Sequence, residues 1–181
     1  MKLKDEQCGR SMVEILGVLA ILGVLTVACI AGFSKAIAKY RVNTIKDQMT
    51  MLVSNIKTTY GKFPSYAGLE NKVALEAGVV PKDMAVGTRE NIIRNNFSGN
   101  VYIETRHSPK KVHEGAFRIT HEGLSDEACV ALATTSFDEH LVKVEFGNSE
   151  YVGEKLPLDL ESAWEGCDCI GNTCTISLTY I

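Results

Sequence analysis

The sequence predicts an α+β fold, a long N-terminal helix packed on an antiparallel sheet, and three observations predict it. Residues 11–33 read SMVEILGVLAILGVLTVACIAGF, twenty-three residues with a single charge among them. An apolar stripe at helical spacing then carries the pattern on to residue 60. Beyond it, four short stretches alternate apolar and polar residues at period two.

The apolar run is long enough for a helix to cross the roughly 30 Å hydrocarbon core of a bilayer. Its anomaly is Glu14, because a carboxylate near the centre of a span costs about 2.5 to 3.5 kcal/mol and calls for a partner. After the run, Ala38, Val42, Ile45, Met49, Leu52 and Ile56 follow one another at steps of four and three, a seam of 3.5-residue period with charged residues off it. One helix over residues 11–60 would be about 75 Å long. Its first half would lie in a membrane, and its second half would pack on the globular part. Gly61 and Pro64 end it, since glycine tolerates the exit and proline cannot continue the ladder.

Residues 70–78 read as a short helix stopped by Gly78. The four alternating stretches are 99–104, 116–120, 141–146 and 174–180. Val101/Ile103, Phe117/Ile119, Val142/Val144/Phe146 and Ile176/Leu178/Tyr180 would share one apolar face, laid against the long helix. Between the second and third stretches, Ser125 caps a short helix whose first turn carries Asp126 and Glu127.

Composition narrows the function. Residues 62–181 are enough for one modest core. The net charge of −3 divides into +4 over residues 1–61 and −7 over residues 62–181. An acidic domain has the wrong sign for phosphate backbones, which argues against nucleic acid as the main ligand. The acidic clusters 122–127 and 150–165 read as solvated faces, or as surfaces meeting the basic collar 35–46 of an adjacent subunit. No enzyme signature is present. His113-Glu114 and His121-Glu122 begin like H-E-x-x-H but lack the second histidine, and no G-x-S-x-G, phosphate loop or dinucleotide fingerprint occurs. Neither a cofactor nor a catalytic residue is expected. Asn96-Phe97-Ser98 matches a glycosylation sequon.

Cys129, Cys167, Cys169 and Cys174 lie in the soluble part. Four cysteines in a small domain outside the cytoplasm read as a disulfide framework with three possible pairings. The competing reading is a zinc site completed by a histidine. The C-x-C-x4-C spacing does not match the usual knuckle, so no metal is expected.

The first nine residues, MKLKDEQCG, are short and charged on both signs, and no A-x-A-like site follows the apolar run, so an ordinary secretory signal fits poorly. Lys2, Lys4 and Arg10 lean toward a cytoplasmic leading end, against which Lys35, Lys39 and Arg41 count on the far side of the run. A charged leader ending in Gly9, a polar pair, and a glutamate five positions after the glycine inside an apolar helix resemble the N-terminal signal of type IV pilins and pseudopilins. The succession of a YxGL-like stretch after the first helix, AGVVPKDM, NNFSGNVYI and a cysteine-bearing helix and terminal region is similar to type IVb pilins.

That resemblance implies a pilin fold with a disulfide-bounded C-terminal region. It divides the chain into a removed leader (1–9), a transmembrane or filament-core helix (10–33), the amphipathic half of the same helix (34–61) and a globular domain (62–181). It implies cleavage by a prepilin peptidase between Gly9 and Arg10, methylation of the new α-amine of Arg10, and an assembly role for Glu14. By the same resemblance Cys129 pairs with Cys167 or Cys169, and the other two close across the Gly171-Asn172 turn. The expected partners are further copies of the chain in a helical filament, the peptidase, an assembly platform with its ATPase, and inner-membrane lipid before assembly. The expected location is a single-pass inner-membrane protein with a periplasmic domain, then an extracellular filament. A minor pilin, a type II secretion pseudopilin or a signal-anchored extracytoplasmic binding protein or enzyme are the alternatives. Arg10 stands where the family usually has an apolar residue.

Overall fold

The computed structural model describes residues 12–86, 91–107, 115–147, 149–153, 156–167, 169 and 173–181. The leader, the Gly9-Arg10 junction, His113-Glu114 and the Gly171-Asn172 turn lie outside the described residues. Contacts divide the chain into two compact units, Met1–Tyr40 and Arg41–Ile181.

The described part of the first unit is helix alone. Helix α1 runs Met12–Tyr60, unbroken through Gly17, Gly23 and Gly32. Every side chain described between residues 12 and 40 is exposed. Two hydroxyls in this stretch fold back on the helix: Thr26 Oγ1 donates to the Leu22 carbonyl at 2.7 Å and Ser34 Oγ to the Ile30 carbonyl at 3.0 Å. Each polar group is thereby satisfied within the helix, as an apolar environment requires.

In the second unit the remainder of α1 supplies one side of the core. Of the seam that the sequence spacing marks, Ile45, Met49, Leu52 and Ile56 are buried and Val42 is half-buried, with Val53 buried beside them, whereas Ala38, the first residue of the seam, is exposed. Gly61 ends the helix, its N–H bonded to the Lys57 carbonyl at 2.7 Å. A Cβ at Gly61 would lie 2.8 Å from that same oxygen, so the exit leaves no room for a side chain.

The other side of the core is a six-stranded sheet. In chain order its surroundings are α2 (Asn71–Glu76), β1 (Ile93–Arg94), β2 (Asn100–Arg106), β3 (Ala116–Leu124), α3 (Asp126–Ala133), β4 (Leu141–Phe146), β5 (Ser149–Val152), α4 (Leu160–Gly166) and β6 (Cys174–Tyr180). The spatial order is β1-β2-β3-β6-β4-β5, with every pair antiparallel. The C-terminal strand β6 therefore lies inside the sheet, between β3 and β4. One face carries Val101, Ile103, Phe117, Ile119, Val144, Phe146, Ile176, Leu178 and Tyr180, all buried.

Val142 departs from the expected face. The register between β4 and β6 slips between Leu141 and Lys143, a bulge that re-aims the side chain there. Val142 instead lines a cavity on the outer face beside Lys143 and Arg118. A second irregularity, between His121 and Leu124 of β3, is built on two glycines. Gly123 has φ +69°, and Gly99 approaches the Glu122 carbonyl so closely that a Cβ would lie 1.7 Å from its oxygen. The turn before β2 is held by Asn95, whose Oδ1 accepts from the N–H groups of Phe97 and Gly99 and whose Nδ2 donates to the Glu122 carbonyl.

Candidate functional site: apolar helix and sulfur cluster

The first feature is the surface of the N-terminal stretch of α1. Met12, Val13, Leu16, Leu19, Ile21, Val24, Val27 and Phe33 are all more than half exposed. Apolar surface on this scale has to be covered by lipid or by protein. Glu14 is exposed in the first turn. That is the end of a helix at which the backbone dipole favours a carboxylate. The basic side chains Lys35, Lys39 and Arg41 follow, exposed on the same helix.

Near the junction of the units, Asn96 Nδ2 donates to the Arg41 carbonyl at 2.6 Å. The sequon asparagine thus uses its amide nitrogen to hold the 94–99 turn on α1.

The second feature is the C-terminal cysteine region. Ser125 caps α3, its Oγ accepting from the Ala128 N–H, and this helix presents the fully buried Cys129. Asp159 caps α4 in the same way, and α4 ends at Cys167. Cys129 and Cys167 form one disulfide, with 2.09 Å between sulfurs and 5.9 Å between Cα atoms. Cys169 and Cys174 form a second, across a separation of five residues. The sulfurs of Cys129, Cys169 and Cys174 lie within 4.8 Å of one another. All three are consumed in disulfides, and the ligand a soft metal binds is the thiolate.

The outer face of the sheet carries a ladder of charge. Arg118 on β3 bonds Glu104 on β2 and, across β6, Glu145 on β4 at 3.2 Å. Lys143 reaches Glu145 at 3.0 Å and Glu150 on the edge strand β5 at 2.9 Å. Partial burial works against ionisation of Glu145, but bonds from Lys143 and Arg118 outweigh it and hold its carboxyl below the usual range. The bond to Glu150 pushes Lys143 up, with Glu145 adding to it. Beneath this ladder a cavity of about 370 Å³ opens beside Arg106, Arg118, Lys143 and Thr179. Each of these cations already bonds a carboxylate, so the ladder has the character of a structural clamp across strands.

His121 is fully buried on β3, and neither ring nitrogen has a hydrogen-bond partner among the described residues. Burial lowers its pKa to about 4. The histidine is neutral at physiological pH and closed to any substrate. His107 and His140 are exposed. Sequence reasoning missed the ladder, because its members are scattered over residues 104–150, and missed the burial of His121. The alternation of β3, which places it in line with Phe117 and Ile119, was the available signal.

Comparison with known proteins agrees with this architecture. A family model described as PilS N terminal matches residues 39–181. Among solved structures, a type IVb pilin from Salmonella typhi superposes with a TM-score of 0.58 at 18% identity, covering 75% of this chain and 95% of that one. TcpA, a type IV pilin from the Vibrio cholerae El Tor biotype, superposes with a TM-score of 0.51 at 16% identity, covering 78% of this chain and 99% of that one. No curated protein matches.

Proposed function

The chain belongs to the type IV pilin family, and we propose that it is a structural subunit of a type IV pilus-like filament, polymerised through α1. The family and its fold are structural rather than enzymatic, and pilins assemble into filaments. The observation that carries the reading is the exposed apolar stretch of α1 with Glu14 as its one acid, joined to a globular unit with its own complete core.

In this reading residues 1–9 are a leader removed by a prepilin peptidase, residues 10–33 form the membrane and filament-core segment, residues 34–61 form the domain's spine, and residues 62–181 form the globular pilin domain. Cleavage after Gly9 leaves a positive α-amine on Arg10, the group the peptidase methylates. Before assembly the helix anchors the chain in the inner membrane, with the globular domain in the oxidising space outside. That compartment suits two disulfides. An assembly platform and its ATPase then move the subunit from lipid into the filament.

Glu14 supplies the register. A subunit entering the core brings its carboxylate to the Arg10 α-amine of a neighbour, and each neutralises a charge that lipid would penalise. Such a pair recovers its desolvation cost only in good geometry, so it sets axial position more than it adds stability. The test is Glu14→Ala, scored for membrane insertion and for incorporation into sheared filaments. Insertion should persist and incorporation should be lost; incorporation at the wild-type level would remove the pairing.

A further inference from the structure

The four soluble cysteines form one cluster rather than two separate staples. Cys129 Sγ is bonded to Cys167 Sγ, and the same Cys129 sulfur lies within 4.8 Å of both Cys169 Sγ and Cys174 Sγ. Cys174 Sγ also lies 3.4 Å from the Cys167 carbonyl oxygen. Sulfurs of neighbouring bridges at this range need only a side-chain rotation to reach one another. Thiol–disulfide exchange proceeds by direct attack of one sulfur on another.

Access to the cluster is unequal. Cys129, Cys167 and Cys174 are 0%, 1% and 0% exposed, so neither an oxidant nor a reductant reaches them in the folded domain. Cys169 alone of the four is partly exposed. Closure also favours the local pair. A separation of 5 residues against 38 raises the effective concentration roughly twentyfold on the three-halves power of loop length.

We propose that Cys169 and Cys174 act as an internal redox relay that carries disulfide oxidation from solvent to the buried Cys129–Cys167 pair. The inference does not depend on the filament reading. The Cys169 thiolate attacks an external disulfide, such as oxidised glutathione or an oxidising protein disulfide. Cys174 then displaces the mixed bond, forming Cys169–Cys174 and releasing two reduced thiols of the oxidant. The Cys129 thiolate attacks Cys174 Sγ, so that Cys129–Cys174 forms, Cys169–Cys174 breaks, and Cys169 leaves and takes up the proton that Cys129 lost. Cys169 is the better leaving group because it departs toward water, whereas Cys174 lies 3.3 Å from an Asp126 oxygen, whose negative charge disfavours a thiolate. The Cys167 thiolate finally attacks Cys129 Sγ, forming Cys129–Cys167 and releasing Cys174, which takes the proton from Cys167. One disulfide has moved inward, and a second equivalent of oxidant closes Cys169–Cys174 again.

Exchange is reversible, so the relay is tested from the folded, oxidised chain. Full-length protein in detergent is treated with limiting dithiothreitol, quenched with N-ethylmaleimide over time, and its bridges are mapped by peptide mass. The wild type should show a Cys129–Cys174 cross-linked peptide at early times, and the double variant Cys169→Ser/Cys174→Ser should lose its Cys129–Cys167 bridge at least tenfold more slowly than wild type. Equal or faster loss in the variant, checked as folded by circular dichroism, overturns the relay. So does a wild-type time course in which no Cys129–Cys174 peptide appears, an outcome independent of how the variant folds.

Discussion

Lys57, in the last turn of α1, donates its ammonium to the carboxylate of Asp138, a residue 81 positions later in the loop that leads into β4. The same carboxylate oxygen accepts from the backbone N–H of His140 at 2.8 Å and lies 2.9 Å from its Nδ1. Partial burial works against the charge of Asp138, but bonds from Lys57 and His140 outweigh it and hold the carboxyl below its ordinary value of 3.8. The end of the spine helix is thus tied to the sheet by a polar clamp as well as by the core. Asp138→Asn should lower stability by about 1 kcal/mol at pH 7, as expected for a partly buried ion pair that also orders a loop. A depressed carboxylate contributes stability above its unfolded pKa and loses it as pH falls through the folded one. Urea midpoints of variant and wild type should therefore converge below pH 4.

His121 acts in a different window. Its ordinary value is 6.5 and burial lowers it to about 4, so the unfolded chain binds a proton that the folded chain refuses. Stability is full above pH 6.5 and falls as pH drops toward 4, by on the order of 3 kcal/mol in all and about 2 kcal/mol between pH 7 and pH 5. His121→Leu keeps the volume and removes two buried nitrogens that find no partner among the described residues. It should leave stability at pH 7 equal or higher and flatten the decline between pH 6.5 and 4. Urea titrations at pH 7 and pH 5 separate this from the carboxylates, whose losses come lower.

Among the described glycines, Gly99 leaves the least room for a side chain. With Glu122 O at 1.7 Å from a Cβ placed there, Gly99→Ala must separate β2 from β3 or rebuild the bulge. Several kcal/mol of destabilisation should follow, seen as a large fall in Tm. Gly78→Ala would meet only the strain of φ +68° with open space around it and should cost about 1 kcal/mol.

The two disulfides close loops of different length, separations of 38 and 5 residues. In the chain-entropy account the first contributes about 4 kcal/mol and the second about 2 kcal/mol. Thermal unfolding of Cys129→Ser/Cys167→Ser should show roughly twice the loss seen for Cys169→Ser/Cys174→Ser.

Much of this fold was legible in the residues. The α1 seam was readable because helical packing imposes a spacing that local sequence records, and Ile45 through Ile56 are buried on it. β4 and β6 were readable to their ends because one face is buried and the other polar. β1 and β5 were not, since two and four residues at a sheet edge, mostly exposed, leave no alternation to detect. Residues 150–165 read as one acidic face, yet they hold most of β5 and of α4. The caps and buried anchors there, Asp159 and Ala163 among them, are short-range signals diluted by charge. Val142 was assigned to the wrong face because a bulge inserts one residue into a period of two. At the candidate site, Glu14 stood out because a lone charge in an apolar run is costly. The convergence of four sulfurs, by contrast, depends on how α3, α4 and β6 meet, which no spacing encodes.

The most direct test of a filament subunit is the intact mass of chains recovered from filaments sheared off cells that carry an active prepilin peptidase. The account requires a filament-borne chain beginning at Arg10, with or without one methyl group, and with the masses of two disulfides. A chain found only in the membrane fraction, still beginning at Met1 while the peptidase processes other substrates, would contradict it.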